Sequence, residues 1–137
     1  MVKTNTYLLF NGNCQEAFKF YEKCFGGKID SIMTYDESPM TDSVPANWRD
    51  KIIHVTMNLG NHVLMGSDAP PERYQKPQGF SVNIAVDSIT EAESVFQSLE
   101  EGGTVRMPLQ QTFWAERYAM LIDRFGIPWM INYEKAG

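Results

Sequence analysis

In the stretch QTFWAERYAML, Glu116 is the one carboxylate, set between Trp114 and Tyr118. Side chains alternate along an extended strand, so Trp114, Glu116 and Tyr118 are expected on one face and Phe113, Ala115 and Arg117 on the other. An aromatic wall disfavours the charged form of a carboxylate, which suits Glu116 to the work of a general base. The same carboxylate is equally fitted to ligate a metal, or to pair with a nearby arginine and do no chemistry. His54, in IIHVTMN, is the second chemically able side chain: an imidazole exchanges protons near neutral pH, ligates metals, or simply hydrogen-bonds within its strand. Facing one cleft, His54 and Glu116 would make an acid-base pair or two ligands of a metal, one fewer than the three of a catalytic zinc. His62 lies beside a turn and reads as a surface residue.

Cys14 and Cys24 are ten residues apart, a spacing that gives neither a CxxC redox pair nor a zinc knuckle. A first-turn position on a helix would favour the Cys14 thiolate, and the competing reading is a small buried apolar side chain. Met33, Met57, Met65, Met107, Met120 and Met130 all fall in strand-like runs, where thioethers make a deformable apolar surface. Residues 35–50, YDESPMTDSVPANWRD, form a long polar loop with a single Trp48, either a lid or an ordinary surface loop.

The elements that position these groups repeat. An apolar run Tyr7–Phe10 leads to a helix beginning at Asn13, whose Glu16 three residues on has capping-box spacing. Ala17, Phe18, Tyr21, Cys24 and Phe25 follow at helical intervals, and Gly26-Gly27 ends the helix. Residues 28–34 and 51–59 read as strands, and His62–Met65 returns after a Gly60-Asn61 turn. The second half repeats the plan: FSVNIAVD as a strand, Ser88 with Glu91 as a capping box, a helical stripe from Ile89 to Leu99, and a stop at Gly102-Gly103. Strands follow near 104–107, 113–122 and 127–133, with DRFG turning the last hairpin. One offset of 76 residues relates Phe20, Gly26 and Ile29 to Phe96, Gly102 and Val105. The fold class is therefore α+β: two tandem β-α-β-β-β modules, expected to form curled mixed sheets around a cleft with the helices on the outer face. A single domain 1–137 is expected, with module one at 1–68, a proline-rich connector at 69–79 and module two at 80–137.

A net charge of -5 and 12 scattered basic residues argue against nucleic-acid binding, which needs clustered cations against phosphate. No apolar run approaches the roughly 20 residues of a membrane span, and the N-terminal MVKTNTYLLF lacks the long apolar stretch of a signal peptide. A cytoplasmic protein with no membrane partner is expected.

YLLFNGNCQEAFKFYEKCFGGKI, HVLMGSD and QTFWAERYAMLIDRFGIPWMINYE resemble the PhnB-like branch of the vicinal oxygen chelate superfamily, which includes glyoxalase I, ring-cleaving dioxygenases and bleomycin-resistance proteins. The resemblance spans nearly the whole chain, and NG-x-x-x-EA-x-x-FYE-x-x-x-GG with FG-x-PWMIN is its more specific part. Metal-dependent members hold a divalent ion on the first and fourth strands of each half. The resemblance places those four positions at Thr6, Met65, Ser81 and Met130, and two hydroxyls with two thioethers are poor donors for such an ion. No metal and no cofactor is expected.

The expected ligand is instead a small organic molecule in a metal-free apolar and aromatic cleft. Met65, Met130, Trp114 and Tyr118 would hold it, and Thr6, Ser81 and Asn83 would orient it. Leu8, Phe10 and Thr56 complete the expected lining. The competing expectation is a lyase or isomerase of glyoxalase type using Glu116 and His54. A ubiquinone-pathway methyltransferase label carried by PhnB-like sequences is disfavoured, because the chain has no glycine-rich loop of the kind that approaches an adenosyl cofactor. The resemblance further implies a homodimer.

Overall fold

The computed structural model describes residues 1–134. The chain divides into two compact units, residues 1–75 and 76–137, and the division falls inside the expected connector. The end of the expected second module, 135–137, lies outside the described residues.

In the first unit, β1 (Thr6–Phe10), α1 (Cys14–Phe25), β2 (Lys28–Thr34), β3 (Ile52–Asn58) and β4 (Val63–Asp68) follow in that order. The sheet runs β1-β4-β3-β2, with β1 parallel to β4 and the other neighbours antiparallel. The buried stripe of α1, Cys14, Ala17, Phe18, Tyr21 and Cys24, recurs every three or four residues and covers one sheet face. Gly66 fixes which face: a Cβ there would stand 2.6 Å from Phe18 Cε1. Alternation then sends Leu64, Gly66 and Asp68 toward α1, and Val63, Met65 and Ser67 to the open face.

The second unit repeats this with β5 (Val82–Ala85), α2 (Ile89–Glu100), β6 (Thr104–Gln110), β7 (Ala115–Ile122) and β8 (Pro128–Glu134), in the order β5-β8-β7-β6. Ala92, Val95 and Leu99 of α2 are buried, as are Ala119, Leu121, Trp129 and Ile131 on the strands beneath. The expected tandem β-α-β-β-β plan is thus what the chain adopts, each unit with its helix on one sheet face.

The two helices start differently. Ser88 Oγ accepts from Glu91 N at 3.0 Å, and Glu91 Oε1 accepts from Asp87 N at 3.0 Å, one residue ahead of the usual capping-box donor. The box expected at Asn13 does not form: the Asn13 side chain makes no cap bond. Asp68, 54 residues from Cys14, takes that role, accepting from Gly12 N at 2.9 Å, Cys14 N at 3.0 Å and Ile52 N at 2.8 Å. A carboxylate suits a helix N-terminus both as acceptor and as counter-charge.

The 35–50 loop is tied down along its length. Tyr35 is buried and donates its hydroxyl to the Asp68 carbonyl at 2.8 Å, and Asp36 N reaches Arg49 O at 2.9 Å. These ties fit an ordinary packed loop better than a lid. β7 begins two residues later than the sequence suggests, because Thr112 and Ala115 exchange two bonds and hold Phe113 and Trp114 in a turn.

Candidate functional site: the open sheet faces

On the open face of the first sheet, His54 and Thr56 of β3 stand beside Met65 of β4, which pairs with Thr56 on one side and Tyr7 of β1 on the other. Tyr7 Oη lies 3.2 Å from His54 Nδ1, and His54 Nε2 lies 3.0 Å from Thr56 Oγ1. Whichever ring nitrogen carries the proton donates, and the other accepts. This chain of two hydroxyls around an imidazole fixes the His54 ring and can pass a proton along the sheet surface.

Three expected ligand contacts of this unit need correction. Leu8 and Phe10 are only 2% and 1% exposed, and the Phe10 ring packs 6.0 Å from Phe18 and 6.5 Å from Tyr21 of α1. Thr6 shares their strand parity, so the first-strand position beside Met65 on the open face is Tyr7. The expectation slipped by one residue, and a one-residue slip exchanges the faces of a strand.

On the second sheet, Tyr118 pairs with Asn132 and Met120 with Met130, and Met130 pairs in turn with Asn83 of β5. Trp114 reaches this group despite lying outside the strand, its ring edge-on to Tyr118 with centroids 5.1 Å apart. Asn132 Oδ1 is buried and has no donor among the described residues. At the end of this face, residues 76–81 and the strand residues Met120, Ile122 and Pro128 wall a cavity of about 190 Å³ that includes Ser81. Sequence reasoning missed Tyr7, Asn132 and the cavity.

Glu116 sits where the β7–β8 register shifts: Ala115 pairs with Glu134 and Arg117 with Tyr133, leaving Glu116 as the extra residue of a bulge. The bulge interrupts the alternation that was expected to align Glu116 with Trp114 and Tyr118. Arg117 Nη1 donates to the Glu116 carbonyl at 2.6 Å rather than to its carboxylate. His54 belongs to the first unit and Glu116 to the second.

Cys14 is fully buried, and burial together with the Asp68 charge pushes its thiol far above the ordinary 9.0, so it packs as an apolar side chain and the thiolate reading fails. Asp68 itself is pushed upward by burial, against the pull of its three backbone donors and Lys51.

The donors present do not fit a divalent ion. The positions that the resemblance assigns to an ion carry the Met65 and Met130 thioethers, the Ser81 hydroxyl and, beside Thr6, the Tyr7 phenol, none of which offers the carboxylate or imidazole such an ion prefers. Among the described residues, no three His, Cys, Asp or Glu side chains come together as a metal-binding group.

Residues 3–131 match the Glyoxalase/Bleomycin resistance protein/Dioxygenase superfamily, and the chain belongs to it. Its relatives include a PhnB protein. Protein PA1353 from Pseudomonas aeruginosa shares 43% identity and a TM-score of 0.89, with 99% of this chain and 100% of that one covered. A putative 3-demethylubiquinone-9 3-methyltransferase, PhnB protein, from Bacillus cereus is 26% identical with a TM-score of 0.80, covering 96% and 99%. Protein YjdN of Escherichia coli (strain K12) is 29% identical over 94% of this chain and 93% of that protein. Among the described residues, no helix is long and apolar enough to cross a membrane.

Proposed function

We propose that the chain binds a small organic molecule on the open faces of its sheets, with no resident cation. The observation that carries this reading is the donor chemistry: at the positions the resemblance assigns to an ion, Met65, Ser81 and Met130 present soft or neutral groups, with Tyr7 beside Met65 and Tyr118 and Trp114 on the face of Met130. Polar contacts for orienting a ligand come from Thr56, Asn83 and Asn132. A thermal-shift screen of metabolites and divalent metals tests it, since a ligand that binds only the native state raises the melting point. A stoichiometric divalent ion in the purified protein, lost in Glu116→Gln, overturns it.

The Tyr7–His54–Thr56 chain supports a second reading, an acid-base lyase or isomerase in which His54 moves the proton. Turnover of a hydroxy- or keto-substrate abolished in His54→Gln would establish that reading over simple binding.

The methyltransferase name of the Bacillus cereus relative is not carried over. Adenosylmethionine enzymes of the common type need a glycine-rich loop after a parallel strand and an acidic residue on the ribose, and the β1–α1 connection NGN supplies neither. Micromolar adenosylmethionine binding by calorimetry would refute this. The reading also includes a cytoplasmic homodimer, because superfamily members pair and edge strands such as β2 and β6 leave backbone groups open. A monomeric mass by sedimentation at micromolar concentration counts against the dimer, and recovery in a membrane or secreted fraction counts against the location.

A further inference from the structure

We infer that the cavity at the start of the second unit is a subsite for a small organic anion with a flat apolar body. The inference rests on the binding reading above and names the ligand class. The cavity measures about 190 Å³. This is below the roughly 300–1,000 Å³ of sites for drug-sized ligands, so it admits about one ring with a small substituent.

Its lining has a charge asymmetry. Lys76 and Arg106 contribute two cations and no acidic residue lines the space, although the chain as a whole carries -5. Neither cation enters an ion pair among the described residues; the arginine ion pairs there are those of Arg49 and Arg124. Arg106 is brought there by a bulge: Val105 pairs with Leu121 and Met107 with Met120, leaving Arg106 as the extra residue of β6. Bulges of this kind re-aim a side chain. Two unneutralised cations at one concavity give it a positive potential, and the guanidinium fork matches a carboxylate or phosphate edge.

The uncharged part of the lining mixes the polar Gln78 and Ser81 with an apolar side. Phe80 is 53% exposed, an uncommon position for a large ring, and it lines the cavity with Met120, Ile122 and Pro128. Phe80 offers a ring face for stacking, and Arg106, Lys76 and Ser81 of the same lining offer the donors for an anionic group.

The test compares benzoate, its neutral isostere benzamide, and inorganic phosphate, each titrated into the full chain and followed by backbone and methyl NMR. Saturable benzoate shifts are expected at Phe80, Ser81, Arg106 and Met120, with benzamide and phosphate each about tenfold weaker, the size of one partly exposed charge-assisted bond or one ring contact. Arg106→Gln and Lys76→Gln, both at exposed positions, are each expected to weaken benzoate several-fold and leave benzamide unchanged. Equal binding of benzamide refutes the anionic part, and equal binding of phosphate refutes the apolar part. Shifts that map away from these residues, or no saturation by any probe at millimolar concentration, refute the subsite. In each of those cases a metabolite that still raises the melting point leaves the broader binding reading standing, whereas its failure appears as an empty thermal screen.

Discussion

Replacing Asp68 with alanine removes one carboxylate and strands three backbone donors. The bonds are short, 2.9 Å from Gly12, 3.0 Å from Cys14 and 2.8 Å from Ile52, and Asp68 is 1% exposed. A buried donor left without a partner costs about 1–3 kcal/mol. Gly12 is partly buried, so water recovers some of its loss, while the bonds of Cys14 and Ile52 are buried and recover little. The expected loss for Asp68→Ala is therefore about 4 kcal/mol, a large share of the roughly 5–15 kcal/mol that holds a domain together. For a chain of this size each kcal/mol moves the melting point by about 4 °C, which makes the expected fall about 15 °C. Urea and thermal unfolding followed by circular dichroism measure it. Asp68→Asn keeps one acceptor oxygen and is expected to lose about half as much. A loss below about 1 kcal/mol in Asp68→Ala would show that these donors find water or other acceptors, and the account of the α1 start would be wrong.

Asn13→Ala is expected to cost only a few tenths of a kcal/mol because its side chain caps nothing, whereas Ser88→Ala should cost about 1 kcal/mol; equal losses in urea would contradict the contrast. Gly66→Ala would place a Cβ 2.6 Å from Phe18 Cε1 and 3.0 Å from the Leu8 carbonyl, so overpacking of about 1–3 kcal/mol is expected, and unchanged stability would refute the α1 contact. The alkaline limb of stability carries the Cys14 signature. Its folded-state thiol titrates above the unfolded value, so this contribution is complete below about pH 9 and is lost as pH rises beyond it, at a slope approaching about 1.4 kcal/mol per pH unit. Urea midpoints at pH 8, 9 and 10 for wild type and Cys14→Ala check this; an unchanged slope in the variant would refute it.

Local signals carried most of the fold. The Ser88–Glu91 box, the αL glycine at Gly26, the DRFG turn and the helical stripes each depend on residues within a turn or two of one another, and each stands where the sequence puts it. The α1 cap was illegible because its acceptor lies 54 residues away and Asn13 offers a plausible local substitute. Leu8 and Phe10 were misassigned because Tyr7–Phe10 is a continuous apolar run, which has no alternation from which to choose a face, and Thr6, placed by the resemblance, fell on the same parity. Glu116 and Arg106 share a different obstacle: a bulge adds a residue to one strand without any mark in the local sequence, and every inference from strand parity fails across it. The cavity depends on where residues 76–81 run past Met120 and Pro128, which no spacing rule specifies.

The dependence of α1 on Asp68 also sets how much chain each helix needs for its cap. The second helix has its cap within four residues of chain, whereas the cap of the first exists only once β4 lies between β1 and β3. Both halves close their sheets over a long range, first strand against fourth, but only in the first half does that closure also complete a helix, so a nascent chain ending before residue 68 lacks the acceptor for the leading amides of α1.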